Sequence, residues 1–245
     1  MSAPIRAVAV TVPARDEADR VESCFAALDE AAAAIATPVF VVLAADRCRD
    51  GTAGRAAKAL GAARRMGGRV ISVDCGSAGA ARQVGAVHAV RALTASGFGL
   101  EEIWLASTDA DTRPAPSWLR VQLGWAGRGF DAVAGLVELD DDPAVPHRTR
   151  VRYRTLVAAH GNAHGHSHVH GANLGLRAHW WHRVGGFPPV ETGEEHVLWA
   201  RLRRAGARRV GIHDHVVTSA RMVGRAPHGL AALLGTLANA DAPAS

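Results

Sequence analysis

The chain has 245 residues, a length that suits one domain with a full hydrophobic core. Hydrophobic residues make up 48% of it and charged residues 21%, as in a soluble globular protein. Its apolar runs are shorter than the roughly 20 residues of a membrane helix. The N-terminus also lacks the apolar core of a signal peptide, so we expect a cytoplasmic protein with no membrane span.

Charge and cysteine content argue against nucleic-acid-binding, disulfide-rich and zinc-binding proteins. The net charge of +5 is scattered along the chain, so we expect anionic ligands such as phosphates and no binding of nucleic acid. Cys24, Cys48 and Cys75 form no C-x-x-C pair, so we expect reduced thiols rather than a disulfide framework or a zinc site.

Apolar runs alternate with helical stretches in the first half, which predicts an α/β fold with a mostly parallel sheet. In chain order, we predict a strand at 7–12, a helix at 19–36, a strand at 39–44, a helix at 52–63, a strand at 70–73, a helix at 78–95 and a strand at 103–107. Residues 112–116 are predicted to be neither strand nor helix, because their two prolines remove backbone donors and fix φ.

The pattern changes after Trp118. There we predict a strand at 131–138, an acidic loop at 139–146, a helix at 151–159, a histidine-rich loop at 160–171 and a helix at 194–205. We expect one domain over residues 1–236 and a disordered tail at 237–245.

Two carboxylates, Asp109 and Asp111, follow the predicted strand at 103–107. The carboxyl ends of strands are where open α/β sheets bind ligands. Two carboxylates this close repel each other unless a cation lies between them, and Mg²⁺ takes oxygen ligands that it often shares with substrate phosphates. The alternative is a solvated acidic turn.

Three earlier strands also end in polar loops, at 13–17, 46–52 and 76–82. Because these strands are predicted to be parallel, all the loops meet at one edge of the sheet. They form a crevice that contains Asp46, Arg82, Asp109 and Asp111. Such a crevice suits a nucleotide, with carboxylates for ribose hydroxyls and metal and an arginine for phosphate.

The order of these segments resembles family 2 glycosyltransferases, whose fold is the Rossmann-like GT-A fold. The matching segments are PARDE at 13–17, DGT at 50–52, GAARQVG at 79–85, TDADT at 108–112, GANLGLR at 171–177, VGGF at 184–187, GEE at 193–195 in place of G-E-D, and the C-terminal SARMVGR at 219–225. Together they cover about residues 8–229.

The resemblance implies a role for each matching residue. The nucleotide-binding residues would be Pro13, Ala14, Arg15, Glu17, Asp46, Arg82, Asp109, Asp111, Arg221 and Arg225. Asp109 and Asp111 would also hold a divalent cation, Mg²⁺ or Mn²⁺. Glu195 would be the general base, with Glu194 beside it. The nucleotide-binding half would be about 5–115 and the acceptor half about 116–236.

The activity implied is that of a metal-dependent, nonprocessive, inverting glycosyltransferase that uses a UDP- or GDP-linked sugar. Glu195 stands where aspartate is commoner, and Leu43 and Ala44 stand where many relatives carry two acidic residues. The Q-x-x-R-W segment of processive synthases does not occur in the sequence.

Histidines crowd the predicted loop, at His160, His164, His166, His168 and His170. Alternating histidines can chelate zinc, nickel or copper; the alternative is a solvated loop on the acceptor side. His170, Gly171 and Asn173 are candidates for contact with the acceptor. His213 is a candidate third metal ligand by the resemblance, and the alternative is a histidine paired with Asp214.

Two other functions stay open. One is a noncatalytic protein that binds a sugar nucleotide or a metal on the same fold, with residues 160–170 as its binding element. The other is a nucleotidyltransferase, against which the absence of a G-x-G-x-x-x-R opening loop counts.

Overall fold

The computed structural model describes residues 3–159, 161–162, 165–224 and 229–239. The strands are β1 (Ala7–Ala14), β2 (Val39–Asp46), β3 (Met66–Val73), β4 (Ile103–Ser107), β5 (Thr112–Pro114), β6 (Ala132–Leu139), β7 (Gly161–Asn162), β8 (Gly165–His166), β9 (Leu174–Arg177) and β10 (Arg209–Thr218). The α-helices are α1 (Val21–Ala33), α2 (Thr52–Ala62), α3 (Ala78–Ala95), α4 (Trp118–Gly127), α5 (His147–Ala159), α6 (Ala178–Arg183), α7 (Glu194–Arg204) and α8 (Leu230–Asn239).

Eight strands form one sheet in the order β3-β2-β1-β4-β9-β6-β10-β5. Neighbouring strands are parallel from β3 to β4 and between β6 and β10. Strand β9 is antiparallel to both of its neighbours, and β5 is antiparallel to β10. The predicted α/β fold with a mostly parallel sheet is confirmed.

Helices cover both faces of the sheet, which explains why β1 is buried along its whole length. One face packs against α1 and α4 through large side chains such as Phe25 and Trp118. The other face packs against α3, α6 and α7 through residues such as Trp181 and Leu198. Helix α3 lies very close to β1, since a Cβ on Gly85 would come within 2.5 Å of the Thr11 hydroxyl.

The structure corrects several predicted elements. Residues Thr112–Pro114 form β5, contrary to the prediction; the proline is tolerated because β5 is the edge strand of the sheet. Strand β3 begins at Met66, four residues early, and α5 begins at His147 instead of 151. The short β7–β8 hairpin lies inside the predicted loop, and α8 extends to Asn239, into the predicted tail.

Residues 240–245 lie outside the described part of the chain. Among the helices described, none combines the length and the apolar character needed to cross a membrane.

Candidate active site

A cleft of about 640 Å³ lies at the carboxyl edge of β1, β2 and β4. The polar loops that follow these strands meet there, as the parallel pairing predicts. The predicted site residues that line the cleft are Pro13, Ala14, Arg15, Glu17, Asp46, Arg82, Asp109, Asp111, His170, Gly171, Glu194, Glu195 and Arg221.

Arg82 joins the two acidic segments of the cleft. Its side chain is buried, its Nη2 donates to Asp109 Oδ1 at 2.9 Å, and its Nε donates to Glu194 Oε1 at 3.1 Å. Nη1 donates to the Ser107 hydroxyl at 2.6 Å and to the Gly171 carbonyl oxygen at 3.1 Å. A guanidinium has five N–H groups, so most of its donors are engaged. Arg82 therefore orients the carboxylates of the cleft, and its predicted contact with phosphate stays a prediction.

Glycines make room for this network. A Cβ on Gly171 would lie 2.6 Å from Arg82 Nη2, and one on Gly79 would lie 2.8 Å from Glu194 Cβ. Both contacts are too close for a larger residue without a shift of the network. The glycines of the two motifs thus allow α3, α7 and the segment before β9 to meet around one guanidinium.

The G-G-F segment is held to α3 by Gln83. The Gln83 amide oxygen accepts from the Phe187 backbone N–H at 2.8 Å and from the Trp181 indole N–H at 3.2 Å. Gly186 has a φ of +69°, and a Cβ there would lie 2.3 Å from the same oxygen. This local geometry brings the Phe187 ring within 5.8 Å of the Arg82 guanidinium carbon.

Asp109 and Asp111 differ in exposure. The Asp109 side chain is 36% exposed, whereas that of Asp111 is 11% exposed. Burial is the main cause that raises the pKa of Asp111 to about 6; the charges of Asp109 and Glu17 add to it, and Arg221 opposes it. The two carboxylates therefore form an electrostatically strained pair at the end of β4.

Arg221 lies between the carboxylates of Glu17 and Asp111. Its guanidinium binds both oxygens of Glu17, at 2.9 and 2.7 Å, and Asp111 Oδ2 at 2.8 Å. Paired contacts of this kind fix orientation as well as charge. The segment after β10 is thereby attached to the loop after β1, and Arg221 lines the cleft. Arg225 lies outside the described residues.

Glu194 and Glu195 begin α7, after Gly193 in the left-handed conformation. Glu194 is buried against Arg82 and is therefore a structural partner of that network. Burial, and then the charge of Glu194, raise the pKa of Glu195 to about 7. A carboxylate with a pKa near neutrality that lines a cleft is suited to accept a proton.

Asp46, the last residue of β2, holds the loop after β3. Its carboxylate accepts from the backbone N–H groups of Cys75 at 2.7 Å and Gly76 at 3.0 Å. Asp50 and Thr52 connect the loop after β1 to the loop after β2, because the Asp50 carboxylate accepts from Ala18 N–H and the Thr52 hydroxyl accepts from Glu17 N–H. These contacts position Glu17 under Arg221.

His170 lines the cleft, but Asn173 does not act as predicted. Burial lowers the pKa of His170 to about 4, so its imidazole is neutral. The buried Asn173 amide donates to the carbonyl oxygens of Leu136 and Asp214 and accepts from the Trp118 indole. Its hydrogen bonds link β6, β10 and α4, which makes its role structural and corrects the predicted acceptor contact.

His213 is also not at the predicted place. It lies on β10 and lines a second cavity with His166 and His215, and it is not among the residues that line the cleft of Asp109 and Asp111. We therefore withdraw its assignment as a third ligand of a metal at these aspartates. His160 and His164 lie outside the described residues.

Within the described ranges, three candidate ligands converge at Asp16, Cys48 and Asp50, with ligand atoms within 4.8 Å, and no such triad is found among the histidines. The Asp50 carboxylate accepts the backbone N–H groups of Ala18 and Thr52, and the Asp16 carboxylate accepts that of Arg49, so these carboxylates link the loop after β1 to the loop after β2. This cluster therefore has a structural explanation. Of the two interpretations of the histidine loop, the transition-metal site has no support in the residues described.

Two participants in the site were not predicted. Ser107, the last residue of β4, accepts from Arg82 and donates to the Gly171 carbonyl at 2.7 Å. Thr218, the last residue of β10, donates to Asp111 Oδ1 at 3.3 Å. For Ser107, a hydroxyl at the end of an apolar strand was the available signal; β10 carries charged and histidine residues and offered no such signal for Thr218.

No protein-family model matches the chain, and no curated protein matches it by sequence. Solved structures do match. The mannosyltransferase PcManGT from Pyrobaculum calidifontis, solved with GDP-Man and Mn²⁺, has a TM-score of 0.61 at 20% identity over 97% of this chain and 72% of that chain. TarS 1–349 from S. aureus, solved with UDP-GlcNAc, has a TM-score of 0.63 at 13% identity over 90% of this chain and 60% of that chain.

The glucosyl-3-phosphoglycerate synthase from Mycobacterium tuberculosis, solved with phosphoglyceric acid, has a TM-score of 0.54 at 17% identity over 95% of this chain and 77% of that chain. The chain has the GT-A fold. The fold implied by the sequence motifs is thereby confirmed. In this GT-A fold, the D-x-D pair and the acidic start of α7 belong to one cleft.

Proposed function

We propose that this chain is a metal-dependent, nonprocessive, inverting glycosyltransferase, which moves a sugar from a UDP- or GDP-linked donor to an acceptor hydroxyl. The observation that carries the proposal is the shared cleft of Asp109, Asp111 and Glu195 on a GT-A fold. The structural neighbours support a nucleotide-sugar donor, since two of them were solved with GDP-Man and UDP-GlcNAc.

Asp109 and Asp111 are the residues that would hold the cation. Their carboxylate oxygens are the ligands that Mg²⁺ and Mn²⁺ prefer. The donor set fits, because Asp111 is buried beside the negative charges of Asp109 and Glu17 and has a raised pKa of about 6. A bound cation would relieve that repulsion. When bound, it would stabilise the charge of the departing nucleoside diphosphate.

Glu195 is assigned as the general base. Its carboxylate takes the proton of the acceptor hydroxyl while the hydroxyl oxygen forms a bond to the anomeric carbon. The bond from that carbon to the diphosphate oxygen breaks, and its electron pair leaves with the diphosphate. Attack opposite to the leaving group inverts the anomeric carbon.

Other residues position these groups. Arg82 fixes Asp109 and Glu194, and Glu194 in turn precedes the base on α7. Arg221 supplies positive charge at Glu17 and Asp111, where it is placed to assist a diphosphate. His170 and Gly171 line the cleft and stay the proposed contacts of the acceptor.

The two predicted halves contribute jointly to the cleft. Asp46, Asp109 and Asp111 come from residues 5–115, whereas Glu195 and Arg221 come from residues 116–236. The single-domain boundaries and the cytoplasmic location stay predictions from the sequence.

Calorimetric titration of UDP and GDP with Mn²⁺ tests the donor site. Asp111→Asn should weaken Mn²⁺-dependent nucleotide binding by about tenfold or more, because it removes a charged oxygen ligand. Asp141→Asn is the matched control, since Asp141 is a fully exposed carboxylate, and it should bind as wild type does. Unchanged titration of Asp111→Asn would contradict the assignment. Binding with no release of product from any donor would favour the noncatalytic alternative.

A further inference from the structure

A second cavity lies between α5 and the end of β6. Its volume is about 400 Å³, within the range of small-molecule pockets. Five of its twelve lining residues are aliphatic residues of α5 and β6. They are Leu136, Val137, Leu139, Val157 and Ala158. A ligand for this space therefore needs an apolar body.

Positive charge accompanies the apolar wall. Helix α5 carries four arginines and no acidic residue, and two of them, Arg150 and Arg154, line the cavity together with a single carboxylate, Glu138. Arg150 donates to the backbone carbonyls of Asp140 and Asp142, which hold it in place. Arg154 is exposed. The lining thus favours an anion over a cation.

Imidazoles supply the polar groups of the opposite wall. His166, His213 and His215 line the cavity, and the ring centres of His166 and His213 are 5.9 Å apart. Burial lowers the pKa of His166, so its ring is neutral. Its Nε2 contacts the Ile212 carbonyl oxygen at 2.8 Å, which requires the proton on that nitrogen. Neutral imidazoles can hydrogen-bond a polar ligand without adding charge.

The cavity adjoins the donor cleft. Val137 lines both spaces. A row of rings leads from one to the other: His168 lies 5.8 Å from His166 and 5.8 Å from His170, measured between ring centres. His170 lines the donor cleft. A molecule in the cavity therefore lies next to the donor cleft, on the side of Val137 and His170.

We propose that this cavity binds an organic anion with an apolar, ring-sized body, whose anionic group faces Arg154. Its position beside the cleft makes this molecule the acceptor of the sugar. That second statement rests on the proposed function, whereas the binding site itself does not.

Two fluorescent probes test the binding site. 8-Anilino-1-naphthalenesulfonate has an apolar body and one sulfonate, and N-phenyl-1-naphthylamine is the same body without the charge. Ala158→Trp should fill the cavity and weaken binding of both probes by about tenfold or more. Ala159→Trp is the matched control on the same helix, because both alanines are exposed but only Ala158 lines the cavity. The control should leave both affinities within about twofold.

Arg154→Gln tests the anionic contact. An exposed ion pair contributes modestly, so binding of the sulfonate probe should weaken by about twofold to fivefold, with binding of the neutral probe unchanged. Equal binding of the probes by wild type and Ala158→Trp would overturn the site. Equal loss of both probes in Arg154→Gln would overturn the preference for an anion.

A probe that carries a hydroxyl, 6-hydroxynaphthalene-2-sulfonate, tests the acceptor role. It is incubated with donors that wild type hydrolyses, and mass spectrometry detects the sugar joined to the naphthol oxygen. Its hydroxyl proton would pass to Glu195 and the nucleoside diphosphate would leave. Adduct formed by wild type and Ala159→Trp but not by Ala158→Trp is expected. Absence of adduct, or equal adduct with Ala158→Trp, overturns the acceptor role. Failure of donor hydrolysis itself would instead reject the proposed function.

Discussion

Replacement of Arg82 by methionine should destabilise the protein strongly. The change removes the charged partner of Glu194 and keeps a side chain of similar length. The Arg82 and Glu194 side chains are only 3% and 6% exposed, so water cannot take the place of the guanidinium. Breaking a buried ion pair on one side costs about 3–5 kcal/mol, because a buried charge stays behind.

The other contacts of Arg82 add less. Asp109 is 36% exposed and regains solvation, so its share is at most about 1 kcal/mol. The hydrogen bonds to Ser107 and to the Gly171 carbonyl contribute about 1 kcal/mol each. Since these terms are not additive, we expect a loss of about 3–5 kcal/mol out of a total stability of about 5–15 kcal/mol.

Urea unfolding followed by circular dichroism measures the loss, and a double variant isolates its cause. Arg82→Met with Glu194→Gln leaves no unpaired charge that is fully buried, since Asp109 is 36% exposed, and it should recover about 1–3 kcal/mol of the loss. Arg82→Lys keeps the positive charge but has fewer hydrogen-bond donors, so its stability should lie between those of wild type and Arg82→Met. This variant can still be measured if Arg82→Met does not fold. A loss below about 1 kcal/mol in Arg82→Met, or a double variant less stable than Arg82→Met, would refute the reasoning.

Three further results are expected. The pKa of Glu195 is raised to about 7, so in the free enzyme this carboxyl is protonated below that pH and ionised above it. Because a general base must be ionised, kcat/KM for donor hydrolysis should rise with pH through about 7. A flat profile from pH 5 to 8 would contradict this. Gly171→Ala should lower stability to urea by about 1–3 kcal/mol, because the new methyl group would lie 2.6 Å from Arg82 Nη2. Unchanged stability would contradict this, because it would mean that Arg82 and its partners can shift to accommodate the methyl group. Asn173→Ala should lower stability by about 2–4 kcal/mol, because it leaves the Trp118 indole and two carbonyls without a partner; loss of acceptor affinity at full stability would reverse its assignment.

Local chemistry predicts some elements closely. Helix α3 has the predicted bounds, and the Ser77 hydroxyl caps it by accepting the Ala80 N–H at 3.3 Å. Strand β4 is short, apolar and followed by a polar turn, which also gives its bounds directly. Strand β3 begins before its predicted start and includes Gly67 and Gly68, two residues of low β-propensity that do not indicate a strand. Gly68 is required for packing, since a Cβ there would lie 2.2 Å from the Val41 carbonyl oxygen.

The contacts of the site that were not predicted depend on partners distant in sequence. Arg82 meets Glu194 across 112 positions in sequence, so its engagement is invisible before the strands are ordered. Asn173 bonds to β6 and β10 because β9 runs antiparallel next to β6, a pairing that the sequence pattern did not indicate. His213 lies in the second cavity for the same reason, because the order of strands in the sheet places β10 next to β6. The carboxylates at the ends of strands were predictable because their position depends only on the strand itself.

Release of nucleoside diphosphate from a UDP- or GDP-sugar in the presence of Mn²⁺, compared between wild type and Glu195→Gln, tests the proposed reaction most directly. Glu22→Gln, an exposed glutamate on α1, serves as the matched control. Wild type and the control should release product. Glu195→Gln should bind the donor normally but release product at least about 100-fold more slowly, because it has lost its general base. Product release by Glu195→Gln at the wild-type rate would contradict Glu195 as the base of an inverting transfer.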